Sequence, residues 1–187
     1  MNVDLGRYDN SLYDPGRGSI IRFLWYVVNA FCFSSYLLPL YAIKRTLLRM
    51  FGARIGKNVV IKPNVNIKYP WNVEIGDHVW IGEGVWLDSL GTIKIGSNVC
   101  ISQDAYLCTG SHDWSRRDFP LIVKSIKIND GAWISARAVV MPGTVLEQNV
   151  VITAGSVISG STTQNGVYTG NPAKYVKQRS IREVTAP

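Results

Sequence analysis

The feature that most constrains this chain is an aliphatic residue that returns every six positions from Ile55 onward. A small or polar residue often follows it directly, and a small or β-branched residue comes four positions later. The units are IGKNVV, IKPNVN, IGDHVW, IGEGVW, IGSNVC and ISQDAY from residues 55, 61, 75, 81, 95 and 101, then INDGAW, ISARAV, VMPGTV, LEQNVV, ITAGSV and ISGSTT from residues 128, 134, 140, 146, 152 and 158. Six is neither a helical period nor a simple strand period, so the chain is predicted to be a repeat protein.

Three hexapeptides make one coil of a triangular prism, in which each hexapeptide forms one flat side and its aliphatic residue points inward. Stacking the coils places Ile55, Ile75 and Ile95 above one another, and likewise Ile128 and Leu146, so the aliphatic side chains form a continuous core. The predicted fold is therefore mainly β, a parallel solenoid of about five coils. Periodicity does not fix its hand, and the general rule for parallel crossovers favours the right-handed one.

The spacing of the repeats also locates the loops. Units that begin 20 residues apart leave two extra residues per coil, which fall around residues 69–72 and 90–93. From Ile95 to Ile128 the spacing is 33 residues, so a long loop is expected near residues 112–123. Long loops on a rigid scaffold are where function concentrates, and this one begins with GSHDWSRR. It is the first candidate site.

Composition limits the remaining possibilities. The chain has 187 residues, of which 47% are hydrophobic, as expected for one globular domain. Its net charge of +7 comes from scattered Lys and Arg residues rather than from the charged blocks of nucleic-acid tails, which favours a small anionic ligand or a membrane surface as partner. The three cysteines, Cys32, Cys100 and Cys108, cannot all pair and show no zinc-site spacing, which indicates a reducing cytoplasm and no metal.

An uncharged stretch of 21 residues, 23–43, has about the length that crosses a bilayer. Polar residues and Pro39 interrupt it, and no signal peptide is evident. We therefore expect one or two apolar helices that pack on the core or on a neighbouring subunit. They should end near Lys44, Arg45 and Arg49, whose charges suit a helix C-terminus, with Gly52 as the stop.

These hexapeptides resemble those of the hexapeptide-repeat acyltransferases. YDPGRG at residues 13–18, FGARIGKNVVIKP at 51–63, the YLCTGSHDW stretch and GNPAK at 170–174 are similar to exopolysaccharide acetyltransferases of the colanic-acid type. The resemblance implies a left-handed parallel β-helix, acetyl-CoA as co-substrate, a sugar or oligosaccharide acceptor and a homotrimer. The expected organisation is an N-terminal apolar helical segment (1–54), the β-helix domain (55–176) and a C-terminal tail (177–187).

Acetyl transfer to a hydroxyl group requires a base, and a neutral imidazole can serve near pH 7. His112 begins the long loop and matches the family's catalytic histidine, so it is the predicted base. The other histidine, His78, takes the fourth place of a hexapeptide, where a structural role is expected. Asp113 is expected either to orient His112 or to cap the loop, while Asp88 and Glu83 are candidates for acceptor binding.

The resemblance also implies the contacts of the donor. Backbone N–H groups of Ser135 and Ala136 are expected to stabilise the oxyanion. Trp133 is expected to border the acetyl-CoA arm or the acceptor pocket, or simply to pack on the surface. The remaining predicted acetyl-CoA contacts are Ala154, Gly155, Ser159, Pro172, Ala173, Lys174, Lys177 and Arg179. Many relatives carry Thr-Lys where this chain has Ser159 and Gly160, and Lys174 is expected to compensate.

Three alternatives compete with this interpretation. A covalent route through Cys108 is disfavoured because its place in the repeat is usually filled by a small residue for packing reasons. A γ-type carbonic anhydrase needs three histidine ligands per metal, and the chain has only two histidines. A non-catalytic trimeric scaffold that acts through its apolar N-terminal segment remains the alternative function. Basic charge and that segment also suggest peripheral association with the inner face of the membrane.

Overall fold

The computed structural model describes residues 2–37 and 40–182. Residues 38–39 of the apolar stretch and 183–187 of the predicted tail lie outside this part. The helical elements are a 3-10 turn at Leu5–Arg7, helix α1 at Ser19–Val28, a π-helical turn at Asn29–Phe33, helix α2 at Tyr41–Met50 and a 3-10 turn at Pro70–Asn72.

The remaining chain forms a three-sided solenoid of short parallel strands. Face 1 contains β1 (Arg54–Ile55), β4 (Val73–Ile75), β7 (Ile93–Ile95), β12 (Ile126–Ile128) and β15 (Val145–Leu146). Face 2 contains β2 (Val60–Ile61), β5 (Trp80–Ile81), β8 (Cys100–Ile101), β13 (Trp133–Ile134), β16 (Val151–Ile152), β18 (Gly166–Gly170) and the antiparallel edge strand β19 (Ala173–Gln178). Face 3 contains β3 (Asn66–Ile67), β6 (Trp86–Asp88), β9 (Tyr106–Cys108), β14 (Val139–Val140) and β17 (Val157–Ile158). The predicted tail boundary at residue 176 falls inside β19.

The predicted stacking is confirmed. Ile55 pairs with Ile75, Ile75 with Ile95, Ile95 with Ile128 and Ile128 with Leu146. Five coils are complete and β18 begins a sixth. Burying one such side chain stabilises by about 2 kcal/mol, whereas ordering one residue costs about 1–2 kcal/mol. One coil alone buries too few side chains to offset the cost of ordering its residues, so its stability depends on the neighbouring coils.

The three insertions all leave the prism at one corner, between face 3 and face 1. We call it the insertion corner. The two short insertions contain the turn at Pro70–Asn72 and the segment 89–92. The third forms an antiparallel hairpin of β10 (Gly110–His112) and β11 (Leu121–Val123), so the long insertion begins two residues earlier than predicted and is a hairpin rather than an irregular loop.

The two N-terminal helices cover the first coil, which has no preceding coil to pair with. Trp25 of α1 is buried and donates its indole N–H to the Ile67 carbonyl at 2.8 Å. Arg49 lies in the last turn of α2 as predicted, whereas the prediction that Lys44 and Arg45 lie at a helix end is wrong, because α2 begins at Tyr41. Three α2 cations instead bind carbonyl oxygens of the first coil, through contacts from Lys44 to Lys62, Arg45 to Val59 and Arg49 to Ile55.

Within residues 2–37 and 40–182, neither α1 nor α2 reaches the length of apolar helix that a bilayer crossing requires. Gly52 follows the C-terminus of α2 with φ +93°, a conformation that favours glycine and ends the helix as predicted.

Candidate active site

His112 is the last residue of β10 and pairs with Leu121 of β11, where the two strands of the hairpin meet its loop. Its Nδ1 lies 2.9 Å from the backbone carbonyl oxygen of Phe119, and the Phe119 ring stacks on the imidazole with centroids 4.4 Å apart. A carbonyl oxygen can only accept a hydrogen bond, so Nδ1 carries the proton of the neutral ring and Nε2 keeps a free lone pair. This tautomer can accept a proton from a substrate.

Asp113 points into its own turn. Its carboxylate accepts hydrogen bonds from the Ser115 hydroxyl and from the Ser115 backbone N–H, and these bonds hold the pKa of Asp113 below its ordinary value. Asp113 therefore caps the loop, which is one of the two roles predicted for it. The orienting partner of His112 is the carbonyl of Phe119, a backbone group that no sequence pattern indicates.

His112 lines a cleft of about 550 Å³ at the insertion corner. We call it the His112 cleft. Its lining residues are Tyr8, Asn10, Ser11, Tyr13, Pro15, Arg22, Lys68, Tyr69, Leu90, His112 and Leu121. The N-terminal segment thus forms one wall and the insertions form the other, which makes a concave site of the kind that holds small molecules.

Sequence reasoning missed most of this lining. Tyr13 belongs to the YDPGRG motif, which carries part of the family resemblance but indicates no role for this side chain. Its hydroxyl donates to the Leu90 carbonyl at 2.9 Å, which ties the N-terminal segment to a short insertion. Burial, aided by nearby Tyr69 and Asp88, raises the pKa of Tyr13 above its usual range, so the phenol stays neutral.

Asp88 ends β6 beside this region and is buried. Its Oδ2 accepts a hydrogen bond from the Tyr106 hydroxyl at 3.0 Å, whereas its Oδ1 is buried and has no partner in the part of the chain that the structure describes. Burial, followed by the neighbouring Cys108 and Asp88, raises the pKa of Tyr106. The thiol of Cys108 donates to the Gly110 carbonyl and lies outside the cleft lining, as a packing role requires.

Four of the eleven predicted donor contacts, Ser135, Ala136, Ala154 and Gly155, lie at a different corner, between face 2 and face 3. We call its stacked turns the donor ridge. Ala136 and Gly155 are consecutive in the ridge, joined by a hydrogen bond from the Gly155 N–H to the Ala136 carbonyl at 2.9 Å. Trp133 lies beside it on face 2, is 44% exposed and donates its indole N–H to the Ser102 hydroxyl. Ala154 precedes Gly155 in the same turn.

The two predicted oxyanion donors differ. The N–H of Ser135 is donated to the Ile152 carbonyl at 2.9 Å as part of the stacking between coils, so the prediction that it is free to bind an oxyanion is wrong. Among residues 2–37 and 40–182, no acceptor meets the N–H of Ala136. Ala136 is therefore the available donor.

Glu83 and Ser159 lie apart from their predicted neighbours. Glu83 is in the second-coil turn of the donor ridge, away from the His112 cleft, and its carboxylate accepts the hydroxyl of Tyr36. Ser159 follows β17 and is therefore at the insertion corner rather than on the donor ridge.

The C-terminal hairpin carries the remaining predicted contacts. Pro172 and Ala173 are at its turn, and Lys174 pairs with Thr169. The hydroxyl of Thr169 accepts a hydrogen bond from that of Thr153, which lies in the same ridge turn as Gly155. Lys177 pairs with Val167 at the far end of β19, so it is not near the ridge. Nη1 of Arg179 donates to the carbonyls of Gly131 and Asn149 at a third corner, away from the donor ridge.

Stacked hexapeptides are the repeat that defines a class of bacterial transferases. The model of the family "bacterial transferase hexapeptide (six repeats)" matches residues 125–160. The chain is 42% identical over 156 residues to the colanic acid biosynthesis acetyltransferase WcaF of Escherichia coli, an alignment that covers 83% of this chain and 86% of the relative. It is 26% identical over 143 residues to the galactoside O-acetyltransferase of the same organism, which covers 75% and 70%.

A solved hexapeptide-repeat acetyltransferase from Vibrio cholerae, in complex with acetyl-coenzyme A, superposes with a TM-score of 0.79 at 24% identity and covers 90% of this chain and 93% of that one. The solenoid is accordingly a left-handed parallel β-helix, as the resemblance implied. The chain belongs to the hexapeptide-repeat acetyltransferase family.

Proposed function

We propose that this chain transfers the acetyl group of acetyl-CoA to a hydroxyl group of a sugar acceptor in exopolysaccharide biosynthesis of the colanic-acid kind, with His112 as the general base. Membership of the acetyltransferase family supports the reaction, and the names of its relatives support the donor and the type of acceptor. The observation that carries the role of His112 is its hydrogen bond to the Phe119 carbonyl, which leaves Nε2 unprotonated in a residue that lines the cleft.

In the proposed reaction the acceptor oxygen attacks the thioester carbonyl carbon while Nε2 of His112 removes the hydroxyl proton. The N–H of Ala136 stabilises the negative charge that develops on the carbonyl oxygen. Collapse of the tetrahedral intermediate breaks the carbon–sulfur bond, and the imidazolium returns its proton to the CoA sulfur. The products are an acetyl ester and free CoA.

We propose further that the active enzyme is a homotrimer. His112 is at the insertion corner and Ala136 is at the donor ridge of the same prism, so the base and the oxyanion donor are on different corners of one protomer. A closed ring that sets the insertion corner of one protomer against the donor ridge of the next brings both groups to one site. The ridge residues Ala154 and Gly155, and Lys174 of the C-terminal hairpin, would then contact the donor.

Peripheral membrane association is proposed for the N-terminal segment. Many apolar side chains of α1 and its continuation are exposed, including Phe23 at 65% and Phe31 at 62%. Residues 15–73 contain nine Lys or Arg residues and no Asp or Glu. Exposed apolar side chains on a segment whose charged residues are all positive suit an anionic lipid surface.

The experiment follows the acetyl group. Acetyl-CoA labelled in the acetyl group is incubated with the purified protein and a panel of acceptors that includes fucosyl and galactosyl oligosaccharides. Label that moves into an alkali-labile sugar ester supports the proposed function. Donor that stays intact with every acceptor, in a protein shown to be folded, favours the scaffold alternative.

A further inference from the structure

A second cleft adjoins the His112 cleft and shares three of its lining residues. It has a volume of about 500 Å³, lies between α1 and face 3, and we call it the α1 cleft. Trp25, Tyr26 and Trp86 line it together with polar residues such as Asn29, so aromatic rings form part of its wall. The residues that line both clefts are Arg22, Lys68 and Tyr69. A molecule that extends from one cleft to the other must pass these side chains.

The junction is positively charged and unneutralised. Nε of Arg22 is buried and has no hydrogen-bond acceptor within residues 2–37 and 40–182. In the same described part, neither Arg22 nor Lys68 forms an ion pair with a carboxylate. No Asp or Glu lines either cleft. A buried guanidinium N–H without an acceptor is costly, so the arrangement favours an anionic ligand that provides one.

Two carboxylates near Tyr13 of the His112 cleft, Asp88 and Asp14, do not neutralise this charge. Asp88 binds the Tyr106 hydroxyl, and Asp14 accepts the backbone N–H of Gly16 in a local turn. Neither lies within ion-pair distance of Arg22. Arg presents a planar fork of N–H groups that matches the oxygens of a phosphate, and Lys adds a second charge.

We propose that the acceptor is phosphorylated, and that its phosphate or diphosphate binds Arg22 and Lys68 while its sugar occupies the His112 cleft. The group on the far side of the phosphate lies in the α1 cleft. This inference rests on the proposed function, because it names the acceptor class of the same site. The aromatic lining suits either a lipid chain or a nucleoside.

Binding of inorganic pyrophosphate tests the anion site without turnover. Calorimetric titration is done with saturating acetyl-CoA, so that the phosphate contacts of the donor are already occupied. We expect Arg22→Gln and the exposed Lys68→Gln each to weaken binding about tenfold or more, the usual loss for a charge-assisted hydrogen bond. Arg22→Lys should restore part of the affinity. Lys57→Gln removes an exposed positive charge from the same end of the prism and should leave binding unchanged.

Equal pyrophosphate affinity in wild type, Arg22→Gln and Lys68→Gln would overturn the inference. Since Lys68 is exposed, its variant decides the question even if Arg22→Gln does not fold. Two further ligands, geranyl diphosphate and UDP, distinguish a lipid chain from a nucleoside as the group attached to the phosphate. Whichever binds more tightly than pyrophosphate, and loses that gain in Tyr26→Ala, identifies the group in the α1 cleft.

The anion site and the acetyl-transfer reaction can be rejected independently of each other. Pyrophosphate binding that depends on Arg22, in a protein that acetylates no acceptor, would keep the anion site and reject the reaction. Equal turnover of galactose and galactose 1-phosphate, unchanged in Arg22→Gln, would keep the reaction and reject a phosphorylated acceptor. The proposal predicts a lower KM for galactose 1-phosphate that rises in Arg22→Gln, with the KM for acetyl-CoA unchanged.

Discussion

One hydrogen bond decides which nitrogen of His112 can take a proton. Because the acceptor is the Phe119 carbonyl, the position of the base depends on the backbone of that residue, which has φ +48°. Non-glycine residues rarely adopt this conformation, so the rest of the hairpin must hold the Phe119 backbone in place. Two groups of Phe119 thus hold the imidazole: the carbonyl that accepts from Nδ1 and the ring that stacks on the imidazole face.

Phe119→Asn tests this positioning. Asn tolerates a positive φ, so the carbonyl keeps its place while the stacked ring is lost. We expect kcat to fall about tenfold as the imidazole becomes less well aligned, because small misplacements of a catalytic group are costly. Steady-state kinetics should show an unchanged KM for acetyl-CoA, and an unchanged kcat would contradict a positioning role.

Among the elements, the corners of the coils explain why glycine recurs in the hexapeptides. A Cβ on Gly82 would lie 2.8 Å from the backbone nitrogen of Gln103 in the next coil. At Gly155 a Cβ would meet no atom within 4 Å, but φ is +69°. The two glycines are therefore required for different reasons, one by contact between coils and the other by backbone conformation.

Denaturant unfolding separates these two reasons. Gly82→Ala should lower the free energy of unfolding by about 1–3 kcal/mol, since neighbouring coils must move apart. Gly155→Ala should lower it by about 1 kcal/mol, the cost of a left-handed conformation for an L-residue. A Gly82→Ala protein as stable as the wild type would show that the coils are not packed as closely as described.

The α1 helix is predicted to bind anionic lipid. We expect wild-type protein to sediment with vesicles that contain phosphatidylglycerol and to stay in solution with phosphatidylcholine alone. Removing two exposed aromatic rings in Phe23→Ser with Phe31→Ser should reduce vesicle binding more than tenfold, at about 1.5–3 kcal/mol per buried ring. Leu12→Ser changes an exposed residue outside the helix and serves as control. Equal binding by the double variant and the control would reject a lipid-binding role for α1.

At the scale of the whole molecule, the repeat made the prism predictable. A strict period of six residues determines which side chains point inward, and the departures from it located all three insertions. The His112 cleft was less predictable, because its walls join residues such as Tyr13 and Leu90 that lie 77 positions apart. The partner of His112 is a backbone carbonyl, and Arg179 binds carbonyls of distant coils; neither contact leaves a pattern in side-chain spacing.

The proposed trimer predicts complementation between two inactive variants. His112→Ala removes the base, and Ala136→Trp fills the donor ridge. If each site combines the insertion corner of one protomer with the ridge of the next, trimers reassembled from a mixture of the two variants should contain some intact sites. Recovered thiol release in the mixture, absent from either variant alone, is the expected result. No recovery in verified mixed trimers would place both groups in sites within single protomers.

Thiol release from acetyl-CoA in the presence of an active acceptor is the most direct test of His112 as the base. Wild type, His112→Ala and Asp113→Ala are compared after circular dichroism has verified that each is folded. His112→Ala should lose about 10²–10⁴-fold in kcat, the usual contribution of a general base. Asp113→Ala should keep most of its activity, because this carboxylate caps the loop and does not touch the imidazole. Equal acceptor-dependent release by wild type and His112→Ala would contradict the assignment of His112 as the catalytic base.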